Sequence, residues 1–508
     1  MQRVALIGPS LEELRPIKAA SPEPGGSASF PVYDDLAATL HAVRQNPQQP
    51  QAIARHVCTV LSSWFYSDPA TLLNMVARLG LPRSRCVHAD VSNNALLIRS
   101  AAYVVQSRCR RVVVLGYRGT DPFDISTWAV STDANAVPVP VRDNSAPQIA
   151  EDSLPLKAGA ARVHGGWYRN QRATWFALTP ALRAASQGKS ILSALEVDAW
   201  AATQDQAVVD EERAYQRELD AQAIEPVLFV TGHSLGGAMA LLAAYKLATD
   251  RDYANLYAMF GQAYTFGQPM VGNAEFAQAF ADAGGGSLAR RVFCHQCRAP
   301  ERDSSLVSTL VRTLVPNAVE QPAVAMAKKL AAQVAERSLP SLLKSASPAL
   351  LAASKPISKM VDRVVPAAWV CDVVPHLPSQ DVGSFVHVGR HFQAVKREHE
   401  DPSRPELRWS DELLPGQMPQ QATSLLSLLI AALGYVSDQL PLIGAMLARA
   451  QATSDALRSG QRLASLIPQL AFLKLSDEGR YSLYQHLPSH YITVSQPDGV
   501  LTEFGDDF

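Results

Sequence analysis

A chain of 508 residues with 46 Lys plus Arg against 47 Asp plus Glu carries a net charge of -1, which excludes the basic composition of a nucleic-acid binder. Its 47% hydrophobic and 18% charged content excludes a disordered chain, and its length admits two or three compact units or one embellished domain. Six cysteines (Cys58, Cys86, Cys109, Cys294, Cys297 and Cys371) are too sparse for a disulfide scaffold and suit a reduced compartment or mixed roles.

In chain order, the apolar patch from Val4 to Ile7 reads as a short leading strand. Glu12, Glu13 and Arg15 follow at once. The basic-then-apolar pattern of a secretory signal is missing, so the expected location is the cytoplasm, or outside it by an export route without a classical signal peptide. Residues 21–31 are a Pro/Gly/Ser-rich linker, and 35–80 read as helix. The runs 110–116 and 226–231 are apolar, of strand length, and each leads into helix-forming sequence. That alternation predicts an α/β fold. Residues 137–159, proline-bearing and aperiodic, read as a long surface loop able to cover a site.

Two later segments differ in texture. In 304–363, Leu306, Val307, Leu310, Val311, Leu314 and Val315 recur at helical spacing, and Lys328, Lys329, Lys344, Lys355 and Lys359 follow. Residues 421–449 are apolar almost all round, but Asp438 and Pro441 divide them into pieces shorter than the roughly 20 residues of a spanning helix. A buried helical hairpin and a membrane-contacting lid both fit that pattern.

The chemistry centres on Gly232-His233-Ser234-Leu235-Gly236, placed between an apolar strand and the helix-forming Ala238 to Leu247. This is a nucleophile-elbow pattern: small residues allow the sharp turn that exposes the Ser234 hydroxyl. The blander alternative is a helix-capping serine. A serine nucleophile needs a histidine base and a carboxylate that orients it. Asp372 is the candidate acid, because strand-like Ala368 to Cys371 precedes it and ligand chemistry in α/β folds gathers at strand ends. The blander alternative for Asp372 is an exposed loop carboxylate. Cys294-His-Gln-Cys297 has the spacing of a metal or redox pair but no second ligand pair, and reads as two strand-end cysteines.

With Leu115-Gly-Tyr-Arg-Gly-Thr120, Val163-His-Gly-Gly-Trp167, Thr265-Phe-Gly-Gln-Pro269, Val271-Gly-Asn273 and Asp372-Val-Val-Pro-His-Leu-Pro378 added to the elbow, the sequence resembles the class 3, fungal-lipase-like branch of the α/β-hydrolases. The resemblance covers roughly residues 90–300, 366–395 and the C-terminal end. It implies that Ser234 is the nucleophile, Asp372 the triad acid, and Thr120 with the Leu235 backbone N–H the oxyanion hole. It also implies a late histidine followed shortly by tyrosine as the base. His486 fits that pattern, with His490 as the alternative. His164, His233 and His376 read as structural.

The expected organisation is a helical N-terminal extension over 1–85, an α/β-hydrolase core over 86–300, a helical insert over 301–365, the Asp segment over 366–400, a second helical insert over 401–475, and the His segment over 476–508. The inserts interrupt connections leading to Asp372 and to the histidine. They are expected to form a cap at the site mouth that gives peripheral membrane contact; a stabilising subdomain or an oligomer interface is the alternative, and the oligomeric state is left open. The expected function is hydrolysis of lipid carboxylic esters through an acyl-enzyme on Ser234, with no cofactor. A phospholipase A or thioesterase would use the same triad. In another class stands a membrane-binding or interaction protein on a hydrolase scaffold.

Overall fold

A computed structural model describes residues 2–14, 30–93, 95, 98–119, 136–139, 160–297, 371–372, 374–378, 383–396, 407–414, 417–418, 481–482, 486–500, 502 and 504. Its strands in chain order are β1 (Gln2–Ile7), β2 (Arg85–Asn93), β3 (Ile98–Gln106), β4 (Val112–Tyr117), β5 (Ala136–Pro138), β6 (Arg162–His164), β7 (Val227–His233), β8 (Phe260–Phe266), β9 (Val292–Gln296), β10 (Cys371–Asp372), β11 (Arg390–Lys396), β12 (Leu407–Trp409) and β13 (Tyr481–Ser482).

Among the described residues nine strands make one sheet, in the order β1-β2-β3-β4-β7-β8-β9-β11-β12. β4, β7, β8, β9 and β11 run parallel, while β1, β2 and β3 on one margin and β12 on the other pair antiparallel. Every residue of β4, β7, β8 and β9 is buried, as parallel strands must be when helices cover both faces.

Side-chain alternation divides the core in two. Val113, Leu115, Leu228 and Val230 join a cluster with residues of the helices Gly165–Ser186, Leu235–Thr249 and Ala274–Gly286. Val112, Val114, Val227 and Phe229 join the opposite cluster with the helices Ala52–Trp64, Pro69–Leu79 and Pro488–Ser495. A helix on each side of β7 therefore holds the strand that ends at His233. This is the α/β-hydrolase fold.

Two short pairings lie outside the large sheet. β5 and β6 are antiparallel; β10 and β13 are parallel, with Cys371 opposite Tyr481 and Asp372 opposite Ser482. The Asp372 N–H also donates to the Cys297 carbonyl at 3.1 Å, one residue past β9. The chain thus leaves at Cys297 and returns at Cys371 beside its point of departure.

The structure alters three expectations. Within the N-terminal extension, the leading strand expected at Val4–Ile7 does not stay with the helices: as β1 it pairs with β2 and becomes an edge of the sheet. The stretch expected as a second helical insert over 401–475 begins with β12, which extends the other edge. Asp372 does not end a strand of the large sheet but sits in the two-residue β10. The insert at 301–365, residues 419–475 and the proposed cap built from them lie outside the described residues, as does Thr120. Among the described residues no helix is long and apolar enough to cross a membrane.

Candidate active site

β7 delivers Ser234 into a turn with φ 60° and ψ −132°, a conformation that residues other than glycine rarely adopt. Residues held so cost about 1–3 kcal/mol and persist where the surroundings over-determine them. The flanking glycines supply that constraint. A Cβ on Gly232 would come within 2.3 Å of the Gly236 carbonyl, and one on Gly236 within 2.2 Å of the Tyr117 carbonyl oxygen. The turn is therefore packed backbone on backbone. The Ser234 N–H donates to Phe266 O at 2.9 Å, fastening the elbow to the end of β8.

Beyond Phe266 the chain passes through Gly267, whose neighbours are the other two candidates. A Cβ there would lie 2.8 Å from Asp372 Oδ2 and 2.8 Å from the His486 ring. His486 Nδ1 is 2.8 Å from Asp372 Oδ2. A carboxylate accepts, so Nδ1 carries the hydrogen and Nε2 presents its lone pair, the tautomer a general base requires. Ser234, Asp372 and His486 are each at most 2% exposed, and neither Ser234 Oγ nor His486 Nε2 has a hydrogen-bond partner among the described residues.

The β10–β13 pairing explains how residues 114 positions apart meet. β13 sets the chain beside β10 just before His486, and the helix Pro488–Ser495 begins just after it. His490 occupies the first turn of that helix, and its N–H donates to Leu487 O at 3.2 Å. The bond to Asp372 is made by His486.

Asp372 has further donors. Val374 N–H reaches Oδ1 at 2.9 Å, and the Tyr491 hydroxyl donates to Oδ2. The same hydroxyl accepts the Cys297 N–H at 3.1 Å. Burial, then the Asp372 charge, pushes the Tyr491 pKa well above its ordinary 10, so the hydroxyl remains a donor. Tyr491 is the tyrosine that shortly follows the late histidine, and its bond to Asp372 is not legible in the sequence. No local pattern announces it.

Leu235 opens the helix Leu235–Thr249, where first-turn N–H groups lack intrahelical acceptors and can meet a developing anion. Gly119, directly before Thr120, is the last described residue of that segment. His164 stacks on Trp167 at 3.9 Å between ring centroids, and His376 ends a 3₁₀ turn, Val374–His376, after Asp372. Cys294 and Cys297 are buried free thiols, and among the described residues no group of three His, Cys, Asp or Glu is placed to hold a metal ion.

A strand–serine–helix elbow beside a buried histidine–carboxylate pair is an arrangement of the α/β-hydrolase class. Residues 114–296 match the family model described as lipase (class 3). Over 168 residues the chain is 29% identical to triacylglycerol lipase OBL1 of Arabidopsis thaliana, a match covering 32% of this chain and 28% of the plant protein. Among solved structures it is similar to lipase II from Rhizopus niveus, at 16% identity and TM-score 0.34, covering 72% of this chain and 86% of that one. A native Rhizomucor miehei lipase propeptide complex aligns at 16% identity and TM-score 0.31, covering 82% and 89%.

Proposed function

We propose that the protein hydrolyses carboxylic esters of lipids through an acyl-enzyme on Ser234. The observation that carries the proposal is the His486–Asp372 pair, 2.8 Å apart and wrapped around Gly267 next to the elbow. The class 3 lipase match supports a lipid ester as substrate, and the likeness to a triacylglycerol lipase supports a neutral glyceride.

In this reading Ser234 Oγ attacks the acyl carbonyl carbon while His486 Nε2 takes its proton, and Asp372 stabilises the imidazolium. The Leu235 N–H, together with Thr120, receives the tetrahedral oxyanion. Collapse expels the alcohol, protonated by His486. Water, deprotonated by the same nitrogen, then attacks the acyl-enzyme and releases the fatty acid.

The test compares wild type and Ser234→Ala on emulsified triacylglycerol, phospholipid vesicles, an acyl thioester and a soluble short-chain ester. Wild type is expected to release fatty acid from triacylglycerol, and Ser234→Ala to lose at least about 10³-fold in turnover with an unchanged thermal midpoint. Turnover by Ser234→Ala within a few-fold of wild type would remove Ser234 from the mechanism. Release confined to phospholipid or thioester would keep the mechanism and change the substrate.

A further inference from the structure

His233 precedes the proposed nucleophile, is 2% exposed, and has both ring nitrogens engaged. Nε2 lies 2.8 Å from the backbone carbonyl oxygen of His486, and Nδ1 lies 3.0 Å from the Tyr66 hydroxyl. A carbonyl only accepts, so Nε2 carries the hydrogen. Nδ1 of the neutral ring then has a lone pair, and Tyr66 donates to it. Burial first, and the neighbouring His486 second, pull the His233 pKa well below its ordinary 6.5, which keeps that tautomer at neutral pH.

The carbonyl so held has no helical partner. His486 lies one residue before Leu487, the cap of the helix Pro488–Ser495, and the first helical bond goes to Leu487 O. The His233 ring lies 4.3 Å from the His486 ring and 5.5 Å from that of Tyr491, so it packs against both residues that bond Asp372. Tyr66 stands just past the helix Ala52–Trp64, and its hydroxyl fills the space at Gly119. A Cβ on Gly119 would lie 2.0 Å from that oxygen and 2.7 Å from His233 O. One hydroxyl therefore gauges the strand end before Thr120 and, through a single imidazole, the main chain of His486.

We propose that Tyr66 and His233 are positioning residues: Tyr66 orients the His233 ring, and His233 fixes the His486 backbone so that Nε2 is presented to Ser234 and Nδ1 to Asp372. The N-terminal segment is thereby part of the catalytic scaffold, although it lies outside the span that matches the lipase family. This rests on the reading of His486 as general base.

The experiment measures kcat and KM on a soluble short-chain ester, the rate of Ser234 labelling by a fluorophosphonate, and thermal midpoints, for wild type, Ser234→Ala, Tyr66→Phe, His233→Leu and His233→Gln. Tyr66→Phe removes one hydroxyl donor and is expected to lower kcat roughly five- to tenfold with KM within about twofold and little change in midpoint, the scale of one lost hydrogen bond. His233→Leu removes the N–H and is expected to lose about a hundredfold. His233→Gln, whose amide N–H reaches the place of Nε2–H, is expected to recover most of that loss, and labelling rates should follow the same order. Wild-type kcat in all three variants overturns the proposal. So do losses that track the thermal midpoint with His233→Gln no better than His233→Leu, which would make the contact ordinary packing. Wild-type turnover and labelling that vanish in Ser234→Ala uphold the hydrolase reading whichever way the Tyr66 and His233 variants fall. Wild-type turnover unchanged in Ser234→Ala defeats that reading and the positioning role together.

Discussion

Asp372 is 1% exposed and takes hydrogen bonds from His486, Tyr491 and Val374. A carboxylate taken out of water needs such partners, since an unsatisfied buried charge costs several kcal/mol. Tyr491→Phe removes one donor from the oxygen that also holds His486. It is expected to lower kcat about tenfold and to reduce stability by roughly 1–2 kcal/mol, measured by ester kinetics and denaturant unfolding. His486→Ala is expected to lose at least about 10³-fold in kcat and His490→Ala much less, and adding Ser234→Ala to His486→Ala should cost little more, because a triad acts as a unit. A larger loss in His490→Ala would move the base to that residue. Ser234 is legible in the sequence because its turn is coded locally, by glycines between a strand run and a helix run. The contacts of Tyr66 and Tyr491 are not legible, since a hydroxyl meeting a residue 167 or 119 positions away leaves no periodic trace.

At the scale of elements, the elbow works by exclusion: two glycines let β7, its helix and the end of β4 approach to backbone contact. Gly232→Ala would place a methyl inside the Gly236 carbonyl, against main chain that has no rotamer to yield. It is expected to destabilise the protein by at least about 2 kcal/mol, read from the urea midpoint, with loss of Ser234 labelling. A variant as stable as wild type would show that the elbow can open. Of the parallel strands, β4 and β7 were readable as apolar runs that end at glycine. The placement of Asp372 was not, because a two-residue strand offers no alternation to count and its partner lies beyond a long intervening sequence. β12 escaped because three residues offer too little alternation to count.

Across the whole molecule, a set of histidines is buried in neutral form. Burial, then Arg55, pushes the His56 pKa down to about 3; burial pushes His391 to about 4; and burial lowers His233, His295 and His387 well below 6.5. In the unfolded chain each would titrate near the ordinary 6.5. Below that value the unfolded state binds protons the fold refuses, so stability falls with pH, by up to about 1.4 kcal/mol per pH unit for each ring. For His391 the loss stops growing near pH 4 and for His56 near pH 3, where the folded rings also protonate. Thermal midpoints are expected to be level above pH 7 and to drop steeply below about pH 6. A profile flat to about pH 4.5 would contradict the burial of these rings.

The chain that leaves at Cys297 and re-enters at Cys371 does so through one doorway, bridged by the Asp372 N–H on the Cys297 carbonyl. The doorposts are set by β9 on one side and by β13 on the other, so the geometry of Asp372 does not depend on how much polypeptide passes between them. Doubling the length of such a loop costs only about 0.6 kcal/mol in closure entropy. Mutation can therefore lengthen, shorten or exchange this stretch while the acid keeps its place, which makes the doorway a cheap point at which descent can vary the chain without moving Asp372.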